Sequence, residues 1–197
     1  MNGIDTIFKA AEKLFAEKSF SSVSMDQIAQ KSGMSKGNLY HHFESKEDLY
    51  NQLLFNCHQR VADLLKETES IEGTYLDKIR FFVKEHLKIL MGDPQKTKLL
   101  LKEFSDLIDR NSMYDKRTFF LTNFEMVVNL IDQAKKNNEI TRTCDSKLLA
   151  IQFLSPTFSY LVFQSVAKEM LGDSDPHKNI HLTDQMTENL INGLINK

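Results

Sequence analysis

Apolar residues return every three or four positions along almost the whole chain, and this period leaves little room for anything but stacked amphipathic helices. Only 7 Gly and 3 Pro interrupt 197 residues, so the reading is all-α, with about nine helices. Ile4, Phe8, Ala11 and Phe15, with Ile7 and Leu14 beside them, form the first apolar stripe, which ends at Lys18-Ser19. Ser24 stands where an N-cap belongs, and the short helix Met25 to Ser32 follows it. Gly33 suits a left-handed turn. Ser35 caps a third helix, Lys36 to about His42, with Leu39 and Phe43 turned inward. Ser45-Lys46-Glu47-Asp48 repeats the capping pattern and opens a long fourth helix, Ser45 to about Lys66, marked by Leu49, Leu53, Cys57, Val61 and Leu64.

Further helices are expected over Tyr75–Met91, Gln95–Asp109, Met113–Asn137, Ser146–Leu171 and Leu182–Ile195. The breaks fall at Gly92-Asp93-Pro94, Asn111-Ser112, Asn137-Asn138 and Gly172–Pro176. There is no internal repeat and no low-complexity tract. The expected division is a small leading domain, 1–48, and a larger helical one, 49–197.

Met25 to His42 has the spacing of two helices crossing at a turn. Ala29 is small enough for close approach, Gly33 supplies the turn four residues later, and Leu39 anchors the second helix on Ile28 and Met34. The same spacing also serves a helical hairpin inside a bundle. Read as a helix-turn-helix, its outer face carries the chemistry of DNA recognition. Ser24 and Ser35 offer hydroxyls and helix N-termini to phosphates. Lys36 can reach a guanine edge or a phosphate, Gly37 lets the backbone approach the groove, and Asn38 and His41 suit base edges. Tyr40 and Lys46 are better placed for phosphates.

Charge supports this only locally. The chain carries a net charge of −2, and residues 1–50 hold six Lys and no Arg against seven Asp and Glu. Within Ser35–Lys46, however, Lys36 and Lys46 outweigh Glu44. Recognition must therefore rest on where the positive charge lies rather than on its total.

Ile28-Ala29, the run Gly33 to Tyr40, Phe43 and Ser45-Lys46-Glu47-Asp48-Leu49 closely resemble the DNA-binding domain of the tetracycline-repressor family, within a match from Phe20 to Leu49. The resemblance covers about the first quarter of the chain. It implies a three-helix DNA-binding unit, a helical effector-binding and dimerisation domain, and repression relieved by a ligand that tilts the fourth helix. By it, Ser24, Ser35, Lys36, Gly37, Asn38, Tyr40, His41 and Lys46 match family positions that contact double-stranded DNA. Ser19 departs from the pattern, since the family usually has Gly there.

One reading head neutralises too few phosphates for selective binding, whereas two held one helical turn apart fit a palindrome. A homodimer surface is therefore expected. The segment Leu148–Ala167, twenty residues without a charge, is the candidate, together with the stripe Leu182, Met186, Leu190 and Leu194 near the C-terminus. The same two helices could instead fill the core of a single chain. A membrane span is not expected, because Gln152, Ser155, Thr157, Ser159, Gln164 and Ser165 break the apolar run and Pro156 stands near its middle.

Many of the 14 Phe fall between Phe81 and Phe163, which suggests an aromatic-lined pocket for a small hydrophobic effector. Phe82, His86, Glu103, Phe104, Phe124 and Gln152 mix aromatic and polar groups on expected inner faces. Glu103 there would favour a cationic aromatic ligand. No catalytic constellation, cofactor motif or metal-ligand spacing is legible. His177 and His181, with Asp173 and Asp175, read as a solvated turn beside Pro176. Cys57 and Cys144 read as reduced thiols of a cytoplasmic protein. The competing function is a helical adaptor that uses the same hairpin for protein contacts.

Overall fold

Nine α-helices and one 3-10 turn, with no strand, make up the described residues of the computed structural model, which are 3–108, 117–140, 143–171 and 176–194. In order they are α1 Gly3–Glu17, the 3-10 turn Phe20–Ser22, α2 Met25–Ser32, α3 Lys36–His42 and α4 Lys46–Ser70. Then come α5 Tyr75–Gly92, α6 Pro94–Ile108, α7 Arg117–Lys136, α8 Ser146–Leu171 and α9 Pro176–Leu194. The all-α reading holds. Among the described residues no helix is long and apolar enough to cross a membrane.

Two compact units divide the chain: residues 1–60 with 90–119, and residues 61–89 with 120–197. The core of the first unit gathers Ile7, Ala11, Leu14 and Phe15 of α1, Ile28 and Ala29 of α2, and Leu39 of α3. Leu49, Leu53, Leu54 and Cys57 of α4 and Leu99 of α6 complete it. Burying such side chains stabilises by roughly 1.5–3 kcal/mol each before the cost of ordering them. α6 packs on α1, and the Lys102 ammonium donates to the carbonyls of Phe15 (2.8 Å) and Lys18 (3.0 Å), capping the end of α1. The core of the second unit is built from Leu64 and Leu65 of α4 and Ile79, Phe82 and Val83 of α5. Val127 and Ile131 of α7, Phe153 and Leu154 of α8, and Ile191 of α9 close it. α8 packs against α9.

Three local features differ from expectation. The 3-10 turn Phe20–Ser22 was not legible in the apolar pattern. α4 runs to Ser70, a turn further than expected. α9 starts at Pro176 rather than Leu182, because proline at the first helical position loses no hydrogen bond and has its φ already set. His177 and His181 therefore lie on a helix and not in a turn, a correction to the sequence reading. Their side chains, and Asp173 and Asp175, lie outside the described residues, as do the expected breaks at Asn111-Ser112 and 172–175.

Both cysteines are free thiols. Burial pushes the Cys57 thiol up to about 12, so it stays protonated and inert at neutral pH.

Candidate nucleic-acid interface

The geometry of α2 and α3 starts from three local capping devices. Ser24 Oγ accepts from the Gln27 backbone N–H (3.2 Å), and Gln27 Oε1 accepts from the Ser24 N–H (3.0 Å), a reciprocal capping box. Gly33 ends α2 at φ 69°, where a side chain would be strained, and the Met34 N–H returns to the Ala29 carbonyl at 3.1 Å. Ser35 Oγ accepts from the Asn38 N–H at 3.1 Å and starts α3. Ile28 and Leu39 are wholly buried and Ala29 nearly so, which seats α3 across α2. Ser19 needs no glycine. It sits at φ −64°, ψ 151°, a region open to any residue.

The other face of α3 is left to solvent. Lys36, Gly37, His41 and His42 are exposed, Tyr40 is 49% exposed, and Asn38 is half-buried with its amide donating to Met34 Sδ at 3.3 Å. Among the described residues nothing requires glycine at position 37. A Cβ there would meet only Ser35 Oγ, at an ordinary 3.9 Å. The two cations of this surface are already engaged. Lys36 Nζ lies 2.8 and 3.0 Å from the two carboxylate oxygens of Asp26, and that hydrogen bond raises the lysine above its ordinary range. Lys46 Nζ donates to the carbonyls of Phe20 (3.0 Å) and Val23 (2.9 Å) and lies 4.3 Å over the Phe20 ring. Lys46, expected as a phosphate ligand, thus first closes the loop before α2.

The residues expected to bind an effector are distributed over both units. In the second unit the buried His86 ring stacks on Phe82, centroids 5.4 Å apart, and burial lowers its pKa to about 4, so it is neutral. Among the described residues its Nδ1 has no hydrogen-bond partner, nor has Thr157 Oγ1 of α8, a residue the sequence reading did not place among the effector contacts. Phe124 packs against the same apolar core. Gln152 does not face inward. It is exposed, because α8 buries its neighbours Phe153 and Leu154 instead. In the first unit Glu103 is buried, with Oε2 2.9 Å from His58 Nε2 and Oε1 without a partner among the described residues. That pair spans 45 residues of sequence, too far for any spacing argument to find. The side chain of Phe104 lies outside the described residues.

A small helical head with a capped second helix presenting hydrogen-bonding side chains defines the helix-turn-helix class. Residues 7–53 match the sequence model of the bacterial regulatory proteins of the tetR family. The biofilm operon icaADBC negative transcriptional regulator IcaR of Staphylococcus epidermidis is 32% identical over 75 residues, 36% of this chain and 40% of that protein. The match thus spans less than half the length of that relative. Among solved structures, the ketosteroid transcriptional regulator KstR2 of Mycobacterium tuberculosis superposes with TM-score 0.76 at 15% identity, covering 100% of this chain and 96% of the other. FadR of Bacillus subtilis, in complex with stearoyl-CoA, gives 0.71 at 18%, covering 96% and 98%. These likenesses show a shared fold over the full length.

Proposed function

We propose that this chain is a ligand-responsive transcriptional repressor, cytoplasmic and not an enzyme. In this reading it binds a palindromic operator as a homodimer and is released by a small hydrophobic effector. The observation that carries the reading is the exposed face of α3, where Lys36, Gly37, Tyr40 and His41 stand clear of the core that Leu39 and Phe43 anchor. Residues 1–48 form the reading head. Ser24 and Ser35 keep hydroxyl protons for phosphates while their oxygens cap helices. Asn38 and His41 face base edges.

The dimer rests on α8 and α9, within 146–171 and 182–195. Leu148, Ile151, Gln152, Ser155, Ser159, Val162 and Phe163 are exposed and recur at helical spacing, and Met186 of α9 is exposed as well. That stripe carries no charge. Its apolar members, left to water in a single chain, are what a second copy would cover.

For the effector site in the second unit we take Phe82, His86, Phe124 and Thr157: the neutral imidazole stacks on Phe82, and His86 Nδ1 and Thr157 Oγ1 are buried polar atoms without a hydrogen-bond partner among the described residues. The ligand named for FadR, stearoyl-CoA, is consistent with a long apolar effector bearing a polar end. Gln152 has no part in such a site. Effector would favour one of two orientations of α4, and a differential affinity of a few kcal/mol is enough.

The test is binding of the full chain to fragments of its own source genome, followed by salt titration of the fragment retained. Specific binding predicts a palindromic footprint and affinity that falls steeply with salt. An adaptor that contacts protein would show neither.

A further inference from the structure

Lys36 and Lys46, the two lysines beside the exposed face of α3, are both held on the chain's own acceptors, and for Lys36 that acceptor is a carboxylate. We propose that Asp26 is a specificity-determining residue: by pairing with Lys36 it suppresses sequence-independent attraction to phosphates, so that tight binding depends on base contacts. This rests on the DNA-binding reading above.

Lys36 is the one lysine or arginine in α3, and its ammonium takes both oxygens of Asp26, at 2.8 and 3.0 Å. The pair is not needed to seat α3, because Ile28, Ala29 and Leu39 pack the two helices and Ser24 and Ser35 cap them. Its side chains are 52% and 68% exposed, where ion pairs contribute little stability and exchange partners readily. A phosphate approaching α3 must therefore compete with Asp26 for the ammonium. If it succeeds, it leaves a bare carboxylate close to the DNA backbone. The net electrostatic yield of that contact is near zero, and a cation must remain to screen Asp26. Asn38 and Tyr40 are hydrogen-bonding groups without a cation to be neutralised by Asp26, so their contacts with a matching site escape this penalty.

The experiment compares the full-length wild type with Asp26→Asn and with Asp63→Asn. The second variant makes the same charge change at another exposed ion pair, Asp63–Lys66, in the second unit. The probes are a random-sequence 30-base-pair duplex (length about three helical turns) and a duplex selected by the wild type from a randomised library. Binding is followed by fluorescence anisotropy across a salt series. Asp26→Asn should tighten binding to the random duplex about three- to tenfold and steepen its salt dependence by about 0.9 for each engaged head. The preference for the selected duplex should fall correspondingly, and Asp63→Asn should change neither. An unchanged preference, an unchanged random-duplex affinity, or an equal effect from Asp63→Asn would each overturn the proposal while leaving the DNA-binding reading intact. A wild type that binds no duplex at any salt removes the DNA-binding reading, and this inference with it.

Discussion

The outer face of α3 and the outer face of α8 are both exposed among the described residues, yet they are made of opposite materials. On α3 the exposed positions are Lys36, Gly37, Tyr40, His41 and His42, groups that hydrogen-bond or allow close approach. On α8 they include Leu148, Ile151, Val162 and Phe163, spaced along one stripe without a charge. Water solvates the first face well, so binding there must replace hydrogen bonds with better-placed ones. The second face gains simply by leaving water. On the reading proposed above, α3 would discriminate and α8 associate.

Four substitutions bear on that contrast, in descending order of effect. Phe163→Glu puts a carboxylate into the apolar stripe, and a buried unpaired charge costs about 3–5 kcal/mol. Light scattering at micromolar protein should change from dimer to monomer mass, with DNA affinity falling about a thousandfold. A variant still dimeric would remove α8 from the interface.

His86 comes next. Its folded pKa of about 4 lies below the ordinary 6.5, so the unfolded chain binds more protons between those values. The stability gained by keeping it neutral is complete above pH 6.5 and is lost as pH falls toward 4. The slope is at most about 1.4 kcal/mol per pH unit. Urea unfolding at pH 7 and pH 5 should show the wild type losing more stability than His86→Phe, and equal losses would refute the assignment. This titration belongs to the second unit, so it should leave the α3 face unaffected.

Gly37→Ala isolates what α3 does from how it folds. No described residue crowds position 37, so stability should stay level or rise by about 0.4–1 kcal/mol. DNA affinity should drop about tenfold, roughly 1.4 kcal/mol, because the methyl group stands between backbone and groove. Unchanged affinity would show that this backbone does not approach DNA. Finally, Ser24→Ala removes one half of the capping box and should cost about 1 kcal/mol in thermal unfolding. A loss of DNA affinity beyond that of destabilisation would mean that the hydroxyl also holds a phosphate.

What was legible in sequence was local. Ser24 and Ser35 as N-caps and Gly33 as the turn satisfy backbone groups close by in the chain, so the helix-turn-helix could be drawn from spacing and identity alone, while the return bond from Gln27 to Ser24 was not read. The same holds for helix count, since an apolar stripe at period 3.6 identifies a helix whatever it packs against. Pro176 misled because proline breaks a helix from within yet begins one well, and only the chain around it distinguishes the two.

Tertiary structure decided the rest. α8 is apolar on most sides, so periodicity could not say that Phe153 turns in and Gln152 out. The Glu103–His58 pair, the Lys46 contacts with Phe20 and Val23, and the Lys36–Asp26 pair join residues that spacing rules do not connect. Helices are set by interactions along a few residues of chain, and sequence reports those directly. The partner of a charged or buried polar group is set by which surfaces meet in space, and that depends on the packing of all the helices at once.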